Sequence, residues 1–544
     1  MPKVIDVTAE QTAETFIKNR FNMRATSREL GVSRGTVKSR LIEAEDMGFN
    51  FDKPVSGGKL KEDPVVVRPL PPKGELKRYI ITSAQNNTDA NVPFFTNLMT
   101  YADYLDAEIL VGTFAYNRNA YVRGVKRDKG PTADDRMADW YDPILTPYLT
   151  DERVELAPML HWCGHINISP TATRPLSSLE AYTGLASAIF PHTKFAMQSV
   201  AGTKDDGAKF GYTTGAVTML NYVEKKAGFK ASFHHTFGAL IVEVDHDGDW
   251  FVRQLNASTD GSFYDIDDNG AIYIHDGEIE DAEVEAINWG DFHVRVIDEE
   301  IYSLAFGENG IMDTLRPRTQ LVHDILDFKS RNHHESKNIR RKYEKWKRGE
   351  ECVRAEIKEV VECLEDIKRD DCLTVVVDSN HDNALTRWID DADWKHDAVN
   401  AEFYLEASLD WIRNGANNND YHVLREACHR EGLDKEIIFL GADESFVICG
   451  DEHGGIECGM HGHLGPNGAR GAPLGLSKIG RRSNTGHTHS AQIIDGLYVA
   501  GTMTKLRLDY NTGPSSWSHS IIVTYPNGKR TIVTCFNGKW RGST

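Results

Sequence analysis

No run among the 544 residues approaches the ~18 consecutive apolar positions a membrane helix needs, so no membrane partner is expected. Residues Met1 to Glu10 carry no apolar stretch of the kind a secretory leader uses. None of the eight cysteines (Cys163, Cys352, Cys363, Cys372, Cys428, Cys449, Cys458 and Cys535) stands in a CxxC pair. A chain of this length needs no staples, so they read as reduced thiols of a cytoplasmic protein. Positive charge is in deficit: 62 Lys and Arg against 81 Asp and Glu leave a net −19. That excludes a general nucleic-acid coat and leaves room only for local basic patches. There is no internal repeat. With 40% apolar and 26% charged residues the composition is that of a globular protein, neither collagen-like nor disordered. The length suggests about three or four domains.

Residues 1–50 read as a small helical module. Thr26 or Ser27 can cap a short helix, Gly31 can take a turn, and Ser33 can cap a second helix with Val37 and Leu41 on its inner face. This is a helix-turn-helix pattern, with Arg34, Thr36, Lys38 and Arg40 near the outer side of the second helix. Between Lys18 and Arg40 there are seven basic residues and one acid, Glu29, which favours nucleic-acid contact over a merely solvated hairpin. Residues 51–76, with Pro54, Pro64, Pro69, Pro71, Pro72 and Gly57-Gly58, read as a semi-extended linker.

From 77 to 283 the pattern is mixed α/β. Strands are expected at 78–82, 108–112, 239–244 and 271–274, and a helix over 94–105. Ser83 to Thr88 reads as a turn after a strand. His234-His235, if in a strand, point to opposite faces and cannot chelate one ion easily. Residues 328–370 read as a long charged helical region. Its start, Lys337 to Arg348, holds seven basic residues and one acid, with Tyr343 and Trp346 interleaved. That is either a solvated face or a phosphate-contacting one on which bases can stack.

The C-terminal half carries metal-type residues in five places, each at the end of an expected strand: Trp289-Gly-Asp-Phe-His293, His323-Asp-Ile-Leu-Asp327, Asp378-Ser-Asn-His-Asp382, Met460-His-Gly-His463 and Thr485-Gly-His-Thr-His489. The spacings are 31 residues from His293 to Asp324, 56 on to Asn380, 81 to His461 and 26 to His487. Two divalent cations about 3.5–4 Å apart can clamp a phosphoryl group and activate a water between them. Holding them so close takes a shared carboxylate, with imidazoles and one amide oxygen completing the shells. Such donors suit Mn, Fe or Zn better than Ca.

In order and spacing this series resembles the calcineurin-like metallophosphoesterase superfamily, whose motifs run D-x-H, G-D-x-x-D, G-N-H-D/E, H and G-H-x-H. The match covers about 284–544. The resemblance implies a β-sandwich flanked by helices, so that the chain as a whole is α/β (α+β), preceded by the α/β domain and the helix-turn-helix module. It implies that Asp291, His293 and His489 bind one metal, that Asp324 bridges both, and that Asn380, His461 and His487 bind the second. His381 would be the general acid that protonates the leaving oxygen, with Asp382 orienting it, and a bridging hydroxide would attack phosphorus in line. His323 and Ser379 stand where the family has glycine. Either His461 or His463 could be the fourth-motif ligand, and His461 is favoured. Placing the first motif at Ser83-Ala-Gln85 would leave that site without its Asp and His.

Residues 77–544 also resemble a family of pre-early DNA-transfer proteins of T5-like tailed phages, implicated in degrading host DNA. That resemblance rests on Thr82 to Thr88, Pro170 to Leu176, Arg331 to Glu335 and His461 to Arg470. The implied function is a two-metal DNA nuclease, with Mn the first choice and Fe, Zn or Mg compatible, acting in the host cytoplasm on DNA as a homo-oligomer. Arg34, Lys38, Arg40, Arg340, Arg341, Lys345, Arg481 and Arg482 are the expected DNA contacts. A phosphomonoesterase or nucleotidase, and a DNA-binding regulator with an inactive scaffold, are the alternatives.

Overall fold

The computed structural model describes residues 7–19, 23–47, 65–116, 140–332, 338–450 and 453–542. Most of the expected linker, and Lys337, lie outside them. The chain divides into two compact units, Met1–Val65 and Val66–Thr544.

The first unit holds α1 (Ala9–Lys18), α2 (Met23–Leu30) and α3 (Arg34–Asp46). Thr8 and Gln11 cap α1 reciprocally: the Gln11 amide donates to the Thr8 hydroxyl at 3.1 Å and the Thr8 amide to Gln11 Oε1 at 3.3 Å. Ser33 caps α3 by accepting from the Thr36 amide at 3.0 Å, and Gly31 takes the turn at φ 65°. Val37 and Leu41 bury against Phe16. Thr26 is no cap: α2 begins earlier, at Met23, and Thr26 is buried within it.

The second unit is mixed α/β. In chain order its relevant elements are β1 (Lys77–Gln85), α4 (Val92–Leu105), β2 (Ala107–Phe114), α5 (Lys226–His234), β3 (Gly238–Val244), β4 (Trp250–Asn256), β5 (Ala286–Asn288), β6 (Thr319–His323), α6 (Ile339–Arg348), α7 (Val353–Ile367), β7 (Leu373–Val377), α8 (Asp382–Asp391), β8 (Ile438–Phe439), β9 (Ile456–Glu457), β10 (Arg482–Thr485), β11 (Leu497–Val499), β12 (Ser520–Thr524) and β13 (Arg530–Thr534). β1 and β2 pair in parallel, with α4 as the crossover, and β3 and β4 continue that sheet. A six-stranded sheet runs β8-β7-β6-β5-β12-β13, its first four strands parallel. A third, eleven-stranded sheet contains β9, β10 and β11.

That third sheet crosses the 283/284 boundary expected from sequence. Met197 lies opposite Ile493 in an antiparallel pair, so residues from both halves share one ladder. Strand pairing over such separations leaves no local signal in the chain. Two further expectations change. His234 ends a helix, α5, and does not lie in a strand. The charged region 328–370 is broken at Gly349, whose φ of 72° ends α6 before α7 begins.

Ala286, Leu321, Val375 and Val377 of the parallel strands pack with Ile448, Ile456 and Cys458 of the large sheet, forming a core between the two. On the other face α7, α8 and their neighbours cover Ile287, Val322 and Val376. All eight cysteines are unpaired. No helix among the described residues is long and apolar enough to cross a membrane.

Two features of this unit predict its stability. Arg253 is only 2% exposed and donates to Glu243 at 2.7 Å and, through two nitrogens, to Asp265 at 2.8 Å. Breaking one side of a buried ion network strands the partner charges at a cost of about 3–5 kcal/mol. Arg253→Met should therefore lower the unfolding free energy by that amount in urea; a loss below about 1 kcal/mol would refute this. His192 and His235 are the second feature. Burial pushes both imidazoles down to about 4. Unfolded, they take up protons near 6.5, so the unfolded chain binds more protons between those values. Stability should fall as pH drops from about 6.5 towards 4. His192→Gln should make the urea midpoint less steep with pH over that window.

Candidate metal centre

The four parallel strands of the six-stranded sheet release their chains at the same edge. β5 is followed by Trp289 to His293, β6 ends at His323 just before Asp324, and β7 is followed by Asp378 to Asp382. β9 precedes Met460 to His463, and β10 ends at Thr485 just before Gly486 to His489. All five sequence motifs therefore leave strand ends. Buried Trp289 anchors the first by donating to Gln320 Oε1 at 3.0 Å. Gly290 follows because the chain there runs against Thr502: a Cβ would sit 2.6 Å from its Cα. The loops are laced together, with the His293 amide donating to the Asp324 carbonyl at 2.7 Å and the Asp291 amide to Gly501 at 3.2 Å.

His293, Asp324, His487 and His489 all have positive φ, 44°, 48°, 72° and 56°. Non-glycine residues hold that left-handed conformation only where the surroundings over-determine it, and such strain clusters at functional sites.

The side chains converge. Asp324 Oδ2 lies 3.4 Å from His293 Nε2 and 3.2 Å from His461 Nε2, so one oxygen stands between two imidazoles. Asp291 likewise reaches both ways, with Oδ2 3.0 Å from His489 Nε2 and Oδ1 3.8 Å from His461 Nδ1. His293 Nε2 and His489 Nε2 are 3.3 Å apart. Asp291, His293, Asp324 and His489 are buried and close enough together to hold a metal ion. His487 sits beside His461, ring centres 5.1 Å apart, and its amide donates to Asp291 Oδ1 at 3.1 Å. Asn380 presents a buried side-chain oxygen with no hydrogen-bond partner among the described residues, as do Asp291 Oδ2 and both His461 nitrogens. Its neighbour His381 points its amide at Asp324 Oδ1, 3.4 Å away. The unmatched donors and acceptors are of the types that coordinate cations, so the residues fit a metal.

The electrostatics follow the same geometry. Burial pushes Asp291 and Asp324 up, but His461 and its neighbours outweigh burial and hold both carboxyls below the ordinary range. Burial pushes His293 and His461 down, yet Asp324 and the adjoining carboxylates bring both up to about 9. His463 and His487 are pushed down to about 4, by burial first and then by His461.

His461, not His463, reaches the carboxylates; His463 stands behind it, ring centres 5.5 Å apart. The expected role of Asp382 is corrected. Its carboxylate accepts from the Leu326 amide at 2.9 Å and the Ser379 hydroxyl at 2.8 Å, which makes it a brace between loops. The contacts to the His381 ring come from Asp327, whose carbonyl oxygen is 3.1 Å and whose Oδ1 is 3.6 Å from His381 Nδ1. Asp327 also approaches His293 Nδ1 at 3.4 Å. No role was assigned to Asp327 from the sequence, although it closes the D-x-x-D of the second motif and that spacing was its signal.

The expected DNA-contacting side chains divide. Arg34, Lys38, Arg340 and Arg481 are exposed. Arg40 pairs with Glu43 at 2.6 Å, and Arg341 with Glu344 and Asp509 at 3.1 and 2.9 Å. Lys345 is buried and donates to the Lys329 carbonyl, and Arg482 donates to the carbonyls of Gly528 and His453. These last two are held by backbone carbonyls: Lys345 lies on the inner side of α6, and Arg482 lies within β10.

The chain is 38% identical over 479 residues to Protein A1 of Escherichia phage T5, an alignment spanning 85% of this chain and 83% of that protein. It belongs to the Protein A1 family. No family model matches the sequence, and no solved structure matches it. The buried Asp and His cluster of this A1-family protein therefore rests on its own geometry.

Proposed function

We propose that this A1-family protein is a divalent-metal-dependent phosphodiesterase of the calcineurin-like metallophosphoesterase type, and that its substrate is DNA. The observation that carries this reading is the position of Asp324 Oδ2 between His293 and His461, with Asp291 spanning the same two sides. Asp291, His293, Asp324 and His489 would hold one cation, and Asp324, Asn380, His461 and His487 a second. Cations of this kind, Mn first among them, supply Lewis acidity towards phosphoryl oxygens and a nucleophile at neutral pH. The core between the six-stranded and eleven-stranded sheets, with helices on the outer face, agrees with the sandwich of that superfamily.

The chain's own residues account for the remaining chemistry. The Asp327 carbonyl accepts from His381 Nδ1, which leaves Nε2 as the nitrogen that exchanges a proton with a departing oxygen. His381 is part-exposed, with Asn380 and His487, on the open side of the cluster, where a leaving group can reach it. DNA is supported by the exposed Arg34 and Lys38 on α3, by Arg340 and Arg481, and by the phage origin of the relative.

The test is hydrolysis of plasmid DNA, bis(p-nitrophenyl) phosphate and p-nitrophenyl phosphate in Mn. The expected result is cleavage of DNA and of the diester, stopped by EDTA and restored by Mn. Faster turnover of the monoester would make the protein a phosphomonoesterase. Metal binding without cleavage of any substrate would leave only the inactive-scaffold alternative.

A further inference from the structure

α6 is packed inside out. At 100° per residue, Ile339, Tyr343 and Trp346 form one stripe, at i, i+4 and i+7. They are 76%, 60% and 62% exposed. The buried side of the same helix carries Lys345. An amphipathic helix normally buries its apolar stripe, so this face is kept open against the hydrophobic effect. Tyr343 and Trp346 stand next to each other, ring centres 5.6 Å apart. Lys342 borders the stripe on one side, Lys347 and Arg340 on the other, and none of the three has an ion pair among the described residues.

Two connections join this helix to the metal centre. From the side of α6 opposite the stripe, Arg341 pairs with Asp509 at 2.9 Å. Asp509 precedes Tyr510, which is 60% exposed and lies 5.9 Å from Trp517, ring to ring; Trp517 in turn packs on His489 at 4.1 Å. The second connection is a cavity of about 760 Å³ bordered by Lys342, Trp388 and Arg387. The Arg387 guanidinium donates to the Asn380 carbonyl at 2.8 Å, beside the candidate ligands. Arg331 takes up Asp397 on the cavity wall, while Asp391 and Asp393 also border it.

We infer that the Ile339–Tyr343–Trp346 face of α6, with its flanking cations, is a platform for single-stranded DNA leading into the metal centre. The inference rests on the phosphodiesterase reading above. Unpaired bases offer π-faces that stack on aromatic rings, and Lys or Arg beside the rings neutralise the phosphates between them; a duplex hides those faces. The cations bordering the apolar stripe match a polyanion, and the cavity that runs from Lys342 to Arg387, beside Asn380, distinguishes a substrate path from a face for another protein.

The experiment measures binding of a fluorescein-labelled 20-mer of dT, and of a 20-base-pair duplex, to the full chain in EDTA. Wild type should prefer the single strand. Y343A/W346A should weaken binding of dT at least tenfold and abolish the preference, while Y343F/W346F should stay within about threefold of wild type, because phenylalanine still stacks. Equal losses for strand and duplex, equal losses in the alanine and phenylalanine variants, or unchanged dT affinity would each overturn the inference. So would a change confined to the sedimentation of the free protein, which would make the face a contact between copies. Hydrolysis of bis(p-nitrophenyl) phosphate by wild type tests the phosphodiesterase reading separately. Activity there with no effect of the α6 variants defeats this inference alone.

Discussion

Asp324→Ala is expected to abolish metal-dependent cleavage of DNA and of a small diester, by roughly 10³-fold or more, equivalent to about 4 kcal/mol at 1.36 kcal/mol per tenfold. The size follows from position. Asp324 Oδ2 lies within 3.4 Å of both His293 and His461. Removing it takes away the oxygen that stands between the two imidazoles and the negative charge that brings both up. Even partners outside a coordination shell commonly cost 10–100-fold when lost, so loss of the ligand proposed to be shared is expected to cost more. Metal content measured on the purified variant should fall together with activity. Full activity with normal metal content would remove Asp324 from the centre and, with it, the proposed function.

The second large effect needs no change of ligand. Gly486→Ala would put a Cβ 2.2 Å from Asp291 Oδ1 and 3.3 Å from His323 Cγ. Asp291 has little room to yield, because Oδ1 also accepts from the His487 amide and Oδ2 faces His489. The carboxylate must be displaced by about an ångström, and misplacement on that scale costs about 10²-fold in rate. Activity should drop by about that factor, with the unfolding transition close to that of wild type and metal affinity reduced. Wild-type kcat/KM in Gly486→Ala would show that Asp291 has no fixed place in the reaction.

Much of the candidate site was legible in the chain because ligands at a strand end are a local pattern. D-x-H or G-H-x-H puts two donors within a few residues, and their order survives folding. Asp291, His293, Asp324, His461 and His489 were read from sequence and stand together in the structure. Asp327 was not assigned a role, and Asp382 was assigned one it does not have. The difference between them is which carboxylate the loop after β6 turns towards His381, and a one-dimensional spacing does not contain that. The basic residues show the same division. Lys345 and Trp346 are neighbours in a basic segment with aromatics interleaved, yet the lysine is buried and the tryptophan exposed. The phase of a helix against its core is fixed by what packs on it.

The amino-acid sequence by itself determined the α/β character, the Ser33 cap and the Gly31 turn of the first unit, and the identities and order of the donor side chains, since each depends on residues close together in the chain. Only the tertiary structure decided that strands from both sides of residue 283 share a sheet, that four candidate ligands sit in left-handed backbone, and which charges remain open to solvent. Those depend on pairings across hundreds of residues, where burial and close packing select one arrangement from many that the local pattern allows.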